Sequence, residues 1–556
     1  MNTPAKTIGA DLREPVNQRT TLVIAGASVG TIFEWYDFFL YGSLATFITR
    51  HFFTGVNETT GYILALLAFA AGFAVRPLGS VVFGRLGDLW GRKNTFLITM
   101  VLMGLSTFGV GLLPDYAAIG GLSPALLITL RLVQGLALGG EYGGAATYVA
   151  EHAPADRRGL YTSWIQATAT LGLMISLLIV LVVRLKLGET VFGDWGWRVP
   201  FVASVLLLLI SLWIRLQLNE SPVFLRMVEQ GKTSPKPLAE ALGRWSNLRL
   251  ILLALVGLTA GQAVVWYTGQ FYALFFLEKV VKVDGALTNE LVAGALLIGT
   301  PFFVLFGWLS DKVGRKPVIL AGCLLAALTY FPLFHALTAA ANPRLAAASA
   351  TSPVVVTADP AECAFQFDPV GKQVFASSCD IAKSTLAKAG VTYANLAAGP
   401  GTVASVAVGS ATVTSFDGRG LPAKAFKTRS EAFAKAMGAA LKAAGYPAKA
   451  DPALMNIPLT VAILAVLVIY AAMVYGPIAA MLVEMFPARI RYTSMSLPYH
   501  LGNGWFGGFL PTTAFAITAA TGGIYNGLWY PVGVALITAV VGFFLIRETR
   551  GADIEA

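Results

Sequence analysis

Positions 492–546 contain no Asp, Glu, Lys or Arg. Shorter uncharged runs cover 94–114, 159–183, 250–277, 291–310 and 452–483. About 20 apolar residues suffice to cross a bilayer, and only helices or closed barrels satisfy their backbone polar groups there. These runs are continuous rather than alternating, which excludes a barrel. With 56% hydrophobic and 13% charged residues, the chain is too apolar for a soluble domain. The pattern predicts an all-α membrane protein with twelve spans, at 21–46, 60–83, 94–113, 123–149, 160–183, 197–217, 250–277, 288–309, 318–338, 454–483, 493–519 and 525–546.

A ten-residue charged segment occurs twice, as Gly84-Arg-Leu-Gly-Asp-Leu-Trp-Gly-Arg-Lys93 and Gly307-Trp-Leu-Ser-Asp-Lys-Val-Gly-Arg-Lys316. Each copy lies between two apolar runs and follows the second span of a set of six. Two parallel six-helix repeats are the simplest explanation, an architecture found mainly in transporters. Domains are expected at 1–218 (first half), 219–248 (polar linker) and 249–338 plus 452–556 (second half). Residues 339–451 form an insertion between spans nine and ten.

The net charge of +10 reads as topology rather than as a nucleic-acid footprint. About 20 Lys and Arg fall in the termini and loops of one face, among them Arg92, Lys93, Arg157, Arg158, Lys312, Arg315, Lys316, Arg489 and Arg491. About five (Arg50, Arg184, Lys186, Lys279, Lys282) fall in the short loops of the other. The positive-inside rule then puts both termini in the cytoplasm. The polar segment 1–20 lacks an apolar core and is not read as a cleaved signal.

By this topology the insertion lies on the outer side. Strand-like runs at 354–357, 364–367 and 403–414 and helix-like runs at 381–389 and 430–444 predict a small α+β domain. Cys363 and Cys379 are its two cysteines, and an oxidising compartment favours their disulfide. Cys323, inside span nine, reads as a packed residue. The insertion is also a candidate surface for a partner outside the membrane.

Charges inside spans are expensive and mark function. Span one carries Glu34 and Asp37, whose spacing places both carboxylates on one helix face; they are candidate proton carriers or partners of an arginine. Arg76 lies about 16 residues into span two, past its midpoint. Its guanidinium needs an anion, from the substrate or from Glu34 or Asp37. In span four, Gly135, Gly139 and Gly143 form a close-packing stripe, and Arg131 and Glu141 are candidates for a proton relay or a buried ion pair. Arg198, at the outer end of span six, is a substrate contact or an interfacial anchor. Tyr41 and the span-seven series Gln262, Trp266, Tyr267 and Gln270, with Thr259 and Tyr272 nearby, could line a solute cavity of aromatic and hydrogen-bonding groups. His500, Asn503 and Trp505 in span eleven are weaker candidates. The hairpin pairs Asp88/Arg92 and Asp311/Arg315 stand at i,i+4 and suit a gate rather than a substrate site. The four histidines are scattered, and no metal-ligand cluster, phosphate loop or nucleophile triad is present in the sequence, so neither an enzyme nor a cofactor is expected.

The twin hairpins resemble the signature of the major facilitator superfamily. Glu34-Trp-Tyr-Asp-Phe38, Arg76-Pro-Leu-Gly79, Gln134-Gly-Leu-Ala-Leu-Gly-Gly-Glu-Tyr-Gly-Gly144, Trp195-Gly-Trp-Arg-Val-Pro-Phe201, Asn219-Glu-Ser-Pro222 and Glu484-Met-Phe-Pro-Ala-Arg-Ile-Arg491 resemble more narrowly its metabolite:proton symporters. That group includes the bacterial α-ketoglutarate, shikimate, citrate and proline/betaine permeases. The resemblance covers most of 20–550 apart from 339–451. It implies an alternating-access symporter of the bacterial inner membrane, powered by the proton gradient, with proton coupling at Glu34 and Asp37 and an outer domain in the periplasm. In the α-ketoglutarate branch, it implies that Arg76 and Arg198 meet the substrate's carboxylates. The proline/betaine branch carries arginines in the same motifs. The expected cargo is a mono- or dicarboxylate; the alternatives are a zwitterion or osmolyte permease, a transporter-like nutrient sensor using the outer domain, and a drug exporter.

Overall fold

The computed structural model describes residues 24, 26, 28–33, 35–37, 40–41, 44–53, 72, 74–217, 219–367 and 374–555. Among them, nine helices are long and apolar enough to cross a membrane. Six correspond to spans three, four, six, eight, nine and twelve: Arg92–Leu112, Leu122–His152, Gly196–Leu216, Gly285–Val313, Arg315–Ala341 and Asn526–Leu545. Span ten, Ile457–Met485, is two helices, Ile457–Tyr475 and Ile478–Met485, joined by a turn at Gly476-Pro477. Spans one and two fall only partly within the described residues, where Ala45–Phe52 and Arg76–Trp90 are helical.

Three other spans depart from the expectation. Span five runs from Arg158 to Asp194, with a kink at Gly188 (φ 77°), whereas the sequence places its end at 183. Arg184 and Lys186 suggest that boundary, but a long basic side chain can ride on a helix with its head in a polar layer, and Arg184 pairs with Glu189 at 2.8 Å. Span seven, Trp245–Val280, contains π-helical stretches at Leu255–Thr259, Thr268–Tyr272 and Phe276–Val280. Each π turn rotates the following side chains relative to a regular helix. Span eleven is divided into Arg491–Leu501 and Leu510–Thr521 by a π turn over Gly502–Gly507. Glycine is a poor helix former, and this stretch is glycine-rich.

The twin hairpins are single-residue breaks. Gly91 and Gly314 adopt φ of 104° and 107°, a region open to glycine and strained for other residues. The helices resume at Arg92 and Arg315, and a remote carboxylate caps each restart. Glu220 accepts the backbone N–H groups of Arg92 (3.0 Å) and Lys93 (3.2 Å). Glu548 does the same for Arg315 (2.9 Å) and Lys316 (3.0 Å). Negative charge at a helix N-terminus is favourable. Packing within the first half depends on the glycine stripe: a Cβ at Gly139 would collide with the backbone at Arg76.

The insertion contains the strands β1 (Val354–Ala358), β2 (Tyr393–Ala397), β3 (Ser405–Val408) and β4 (Ala411–Thr414), in sheet order β2-β1-β3-β4. β1 is parallel to β2 and antiparallel to β3, which is antiparallel to β4. Val354, Val356 and Ala358 alternate inwards onto Ile381, Leu386, Phe433, Met437 and Leu441. The core helices are Ser378–Ala389 and Ala423–Ala443, the second beginning well before the expected 430. Cys363 and Cys379 are joined, and Cys323 is buried.

Residues 364–367 do not form the strand expected of them. Asp380 accepts the Ala364 N–H at 2.8 Å, and Gln366 donates to the Asp380 carbonyl at 2.9 Å, so this segment is pinned to a helix start instead. The strand the sequence reading missed, β2, buries only Tyr393 and therefore carries no alternation. The run 403–414 is two strands, which turn at Gly409 (φ 56°). The insertion is fastened to second-half spans. Tyr393 N–H donates to Gly522 O (2.8 Å), its hydroxyl to Ala519 O, Asn395 to Thr521 O (3.1 Å), and Ala450 N–H to Lys282 O (2.9 Å).

Candidate functional site

Away from the hairpin face, the described residues of the first half hold buried ion pairs at Asp37–Arg131 and Glu141–Arg215. Asp37, 1% exposed, faces Arg131 at 3.4 Å. Gln134 joins them, donating to Asp37, accepting from Arg131 and reaching Thr107 at 2.8 Å. The Arg131 guanidinium lies over the Tyr41 ring, 3.5 Å from its centroid. The other oxygen of Asp37, Oδ1, has no hydrogen-bond partner among the described residues. Of the two proposed partners for Arg76, Asp37 is thus committed to Arg131, and Glu34 lies outside the described residues.

Glu141 pairs with Arg215 of span six at 2.8 Å and accepts from Thr99 at 3.1 Å. Arg215 stacks on Phe96 at 3.4 Å and fills the space beside Gly30 of span one. This arrangement joins spans one, three, four and six. Sequence reasoning missed Arg215, although a charge in the apolar run Trp213-Ile-Arg-Leu216 was the available signal.

Aromatic side chains meet between the halves. Trp35 and Trp266 lie 5.0 Å apart, and Tyr142 stacks on Tyr499 at 3.5 Å with the rings nearly parallel. Tyr499 and Tyr475 share a 2.5 Å hydrogen bond, and Gln166 donates to the Tyr142 hydroxyl at 2.9 Å. Gln262 and Asn503 pair at 3.1 and 3.3 Å. Tyr267 packs on Trp266 at 4.9 Å, and Gln270 is buried in the second π stretch. Trp505, 52% exposed, points out of the bundle.

Arg76 begins a helix fourteen positions before its end at Trp90, about 21 Å from the hairpin at 1.5 Å per residue. It is buried, and its helix packs against span eleven, where a Cβ at Gly84 would meet the Thr493 backbone. Arg198 lies at the opposite end of the bundle from the hairpins. It donates to Leu113 O and stacks on Trp197 at 4.6 Å, contacts that suit an anchor.

At the hairpin face, two matching clusters cross from one half to the other. In the first, Asp88 accepts the backbone N–H groups of Tyr492 (3.2 Å) and Thr493 (2.9 Å) and the Thr493 hydroxyl (2.7 Å). Arg92 holds Asp88 at 2.9 Å and donates to Ala488 O at 2.6 Å. Glu151 lies between Arg92 (3.7 Å) and Arg491 (2.7 Å) and accepts from Ser221.

In the second, Asp311 accepts the backbone N–H groups of Gly159 (2.9 Å) and Leu160 (2.7 Å) and pairs with Arg315 at 2.5 Å. Glu484 lies between Arg315 (3.2 Å) and Arg158 (3.7 Å) and accepts from Thr549 at 2.9 Å. Arg158 donates to Ala552 O and Arg491 to Ile554 O, so the C-terminal segment crosses both clusters. Sequence reasoning identified the Asp/Arg pairs but not the bridging Glu151 and Glu484. At this face both clusters tie one half to the other.

The family model described as sugar (and other) transporter matches residues 23–241 and 428–556. The alpha-ketoglutarate permease of Escherichia coli (strain K12) is 34% identical over 339 residues, 61% of this chain and 77% of that protein. The shikimate transporter of the same strain is 36% identical over 320 residues, 56% of this chain and 72% of that protein. Its proline/betaine transporter is 35% identical over 324 residues, 56% and 63% respectively. Among solved structures, a major facilitator superfamily proton:xylose symporter bound to 6-bromo-6-deoxy-D-glucose aligns over 97% of this chain and 98% of its own, with a TM-score of 0.62 and 16% identity. At that identity the likeness concerns the fold.

Proposed function

The chain belongs to the sugar (and other) transporter family of the major facilitator superfamily, and we propose that it is a proton-coupled importer of a small organic acid. It is a multi-pass membrane permease whose relatives carry small metabolites. The observation that carries the coupled reading is the buried Asp37–Arg131 pair, whose other carboxylate oxygen has no hydrogen-bond partner among the described residues. Protonation of Asp37 would remove the charge that holds Arg131, so the two protonation states favour different packings of span one against span four. A ligand or proton shifts a conformational equilibrium only through such a difference between states.

The charge asymmetry supports a cytoplasmic hairpin face and a periplasmic insertion. On this reading the inter-half contacts at the hairpins close the cytoplasmic side, with Asp88, Arg92, Asp311 and Arg315 as the gate and Glu151 and Glu484 as its bridges. The insertion is attached to second-half spans and would move with them.

The organic-acid reading rests on Arg76, a buried guanidinium at mid-depth suited to bidentate capture of a carboxylate. A second reading, a zwitterionic or quaternary-ammonium osmolyte, is favoured by the Trp35, Trp266, Tyr142 and Tyr499 aromatics, which suit cation–π contact. Arg76→Lys separates them. For an organic-acid carrier, uptake of labelled α-ketoglutarate or shikimate falls at least about tenfold, because an ammonium cannot reproduce the planar fork. Glycine betaine uptake left intact by the same variant would favour the osmolyte reading.

A further inference from the structure

Span eleven turns a polar face toward the first half. Thr493, Ser496, Tyr499, His500 and Asn503 follow at steps that place them on one side of a helix. Thr493 is bonded to Asp88 and Tyr499 stacks on Tyr142, both of the first half, while Asn503 pairs with Gln262 of span seven in the second. Ser496 and His500 have no such partners. They are 0% and 2% exposed, yet neither the Ser496 hydroxyl nor either ring nitrogen of His500 makes a hydrogen bond among the described residues. Buried polar atoms are almost always paired, and unpaired ones call for an explanation. The explanation here is positional. Ser496 lies against Gly143 of span four. Tyr492 and Thr493 meet Gly87 and Gly84 of the span-two helix in antiparallel order, so His500, about 10 Å beyond Thr493, comes level with Arg76, about 12 Å before Gly84. The unpaired groups therefore sit at the interface between the halves, at the depth of the guanidinium that best suits a carboxylate.

We propose that His500, assisted by Ser496, is the second half's contact to the transported molecule, opposite Arg76. The ligand that fits carries a carboxylate for Arg76 and a second hydrogen-bonding oxygen, from a hydroxyl, keto or second carboxylate group, for the imidazole and the serine hydroxyl. This inference rests on the organic-acid reading and sharpens it. A molecule bridging Arg76 and His500 touches both halves at once. It therefore binds the state in which they are drawn together better than one in which they are apart.

The test is the thermal stability and uptake kinetics of the purified full-length protein with α-ketoglutarate, shikimate and glycine betaine as probes. Wild type is expected to be stabilised by one of the two acids. H500A is expected to need about tenfold more of that acid for the same shift, with a matching rise in KM and little change in kcat. H500Q, which keeps a donor, recovers part of the loss; S496A shows a smaller loss in the same direction. A His500 that only packs the bundle would lower basal stability without moving KM. H500A or H500Q binding the acid as wild type does overturns the proposal and leaves the organic-acid reading standing. Wild type responding to neither acid overturns that reading, and the proposal with it. If H500A is not monodisperse, H500Q and S496A decide.

Discussion

Asp37→Asn is expected to reduce proton-driven uptake at least about 100-fold, close to background, while exchange of internal for external substrate continues. Asparagine resembles the protonated carboxyl in shape and charge but cannot release a proton. The variant is held in one protonation state, and a cycle that needs both stalls after loading. Breaking a buried ion pair can destabilise by about 3–5 kcal/mol. Here Arg131 keeps its bond to Gln134 and its place over the Tyr41 ring, and a desolvated cation–π contact alone is worth about 2 kcal/mol. A folded, monodisperse variant is therefore expected. Accumulation by this variant at the wild-type rate under an inward proton gradient would exclude Asp37 as the coupling site.

Asp88→Asn is expected to open the hairpin face. Asp88 accepts two backbone N–H groups at the start of span eleven, the Thr493 hydroxyl and the Arg92 guanidinium. The amide keeps one acceptor oxygen and loses the charge that suits both a helix N-terminus and the guanidinium. Removing one member of a buried, hydrogen-bonded charge cluster costs about 3–5 kcal/mol. At about 1.4 kcal/mol per tenfold, the closed-to-open ratio falls at least about 100-fold. The readout is alkylation of a cysteine at Ser163, a buried position packed against Gly307 across the halves. Its rate from the hairpin side should rise sharply in the Asp88→Asn background. Asp311→Asn should behave alike, since its cluster repeats the two backbone N–H groups, the arginine and the bridging glutamate of the first. Unchanged alkylation in both would mean that the clusters are not the gate.

The duplicated hairpin was legible because its glycine, acid and base recur at fixed offsets. The gate built on it uses more of the duplication than those ten residues display. Glu151 and Glu484 end spans four and ten, Arg158 and Arg491 begin the next spans, and Glu220-Ser221 and Glu548-Thr549 cap the restarts and bond the bridging acids. All are repeated, but as isolated charges separated by apolar residues that differ between copies. In one dimension they read as ordinary loop charges.

Partner choice was illegible for a related reason. Asp37, Arg131 and Glu141 stood out as charges within spans, yet which acid meets which base depends on helix rotation, and Arg215 takes the acid that Arg131 does not. Backbone irregularities were lost too. A π turn changes no composition, so span seven and the division of span eleven looked continuous. β2 exposes four of its five residues and lacked the alternation that reveals a strand.

The most direct measurement is substrate-dependent proton movement into proteoliposomes containing the purified protein, using α-ketoglutarate with shikimate as a second probe. An acidic exterior is expected to drive accumulation, added substrate to carry protons inward without a gradient, and Asp37→Asn to abolish the proton movement but not exchange. Uptake that proceeds with no accompanying proton movement and no response to the gradient would contradict proton coupling.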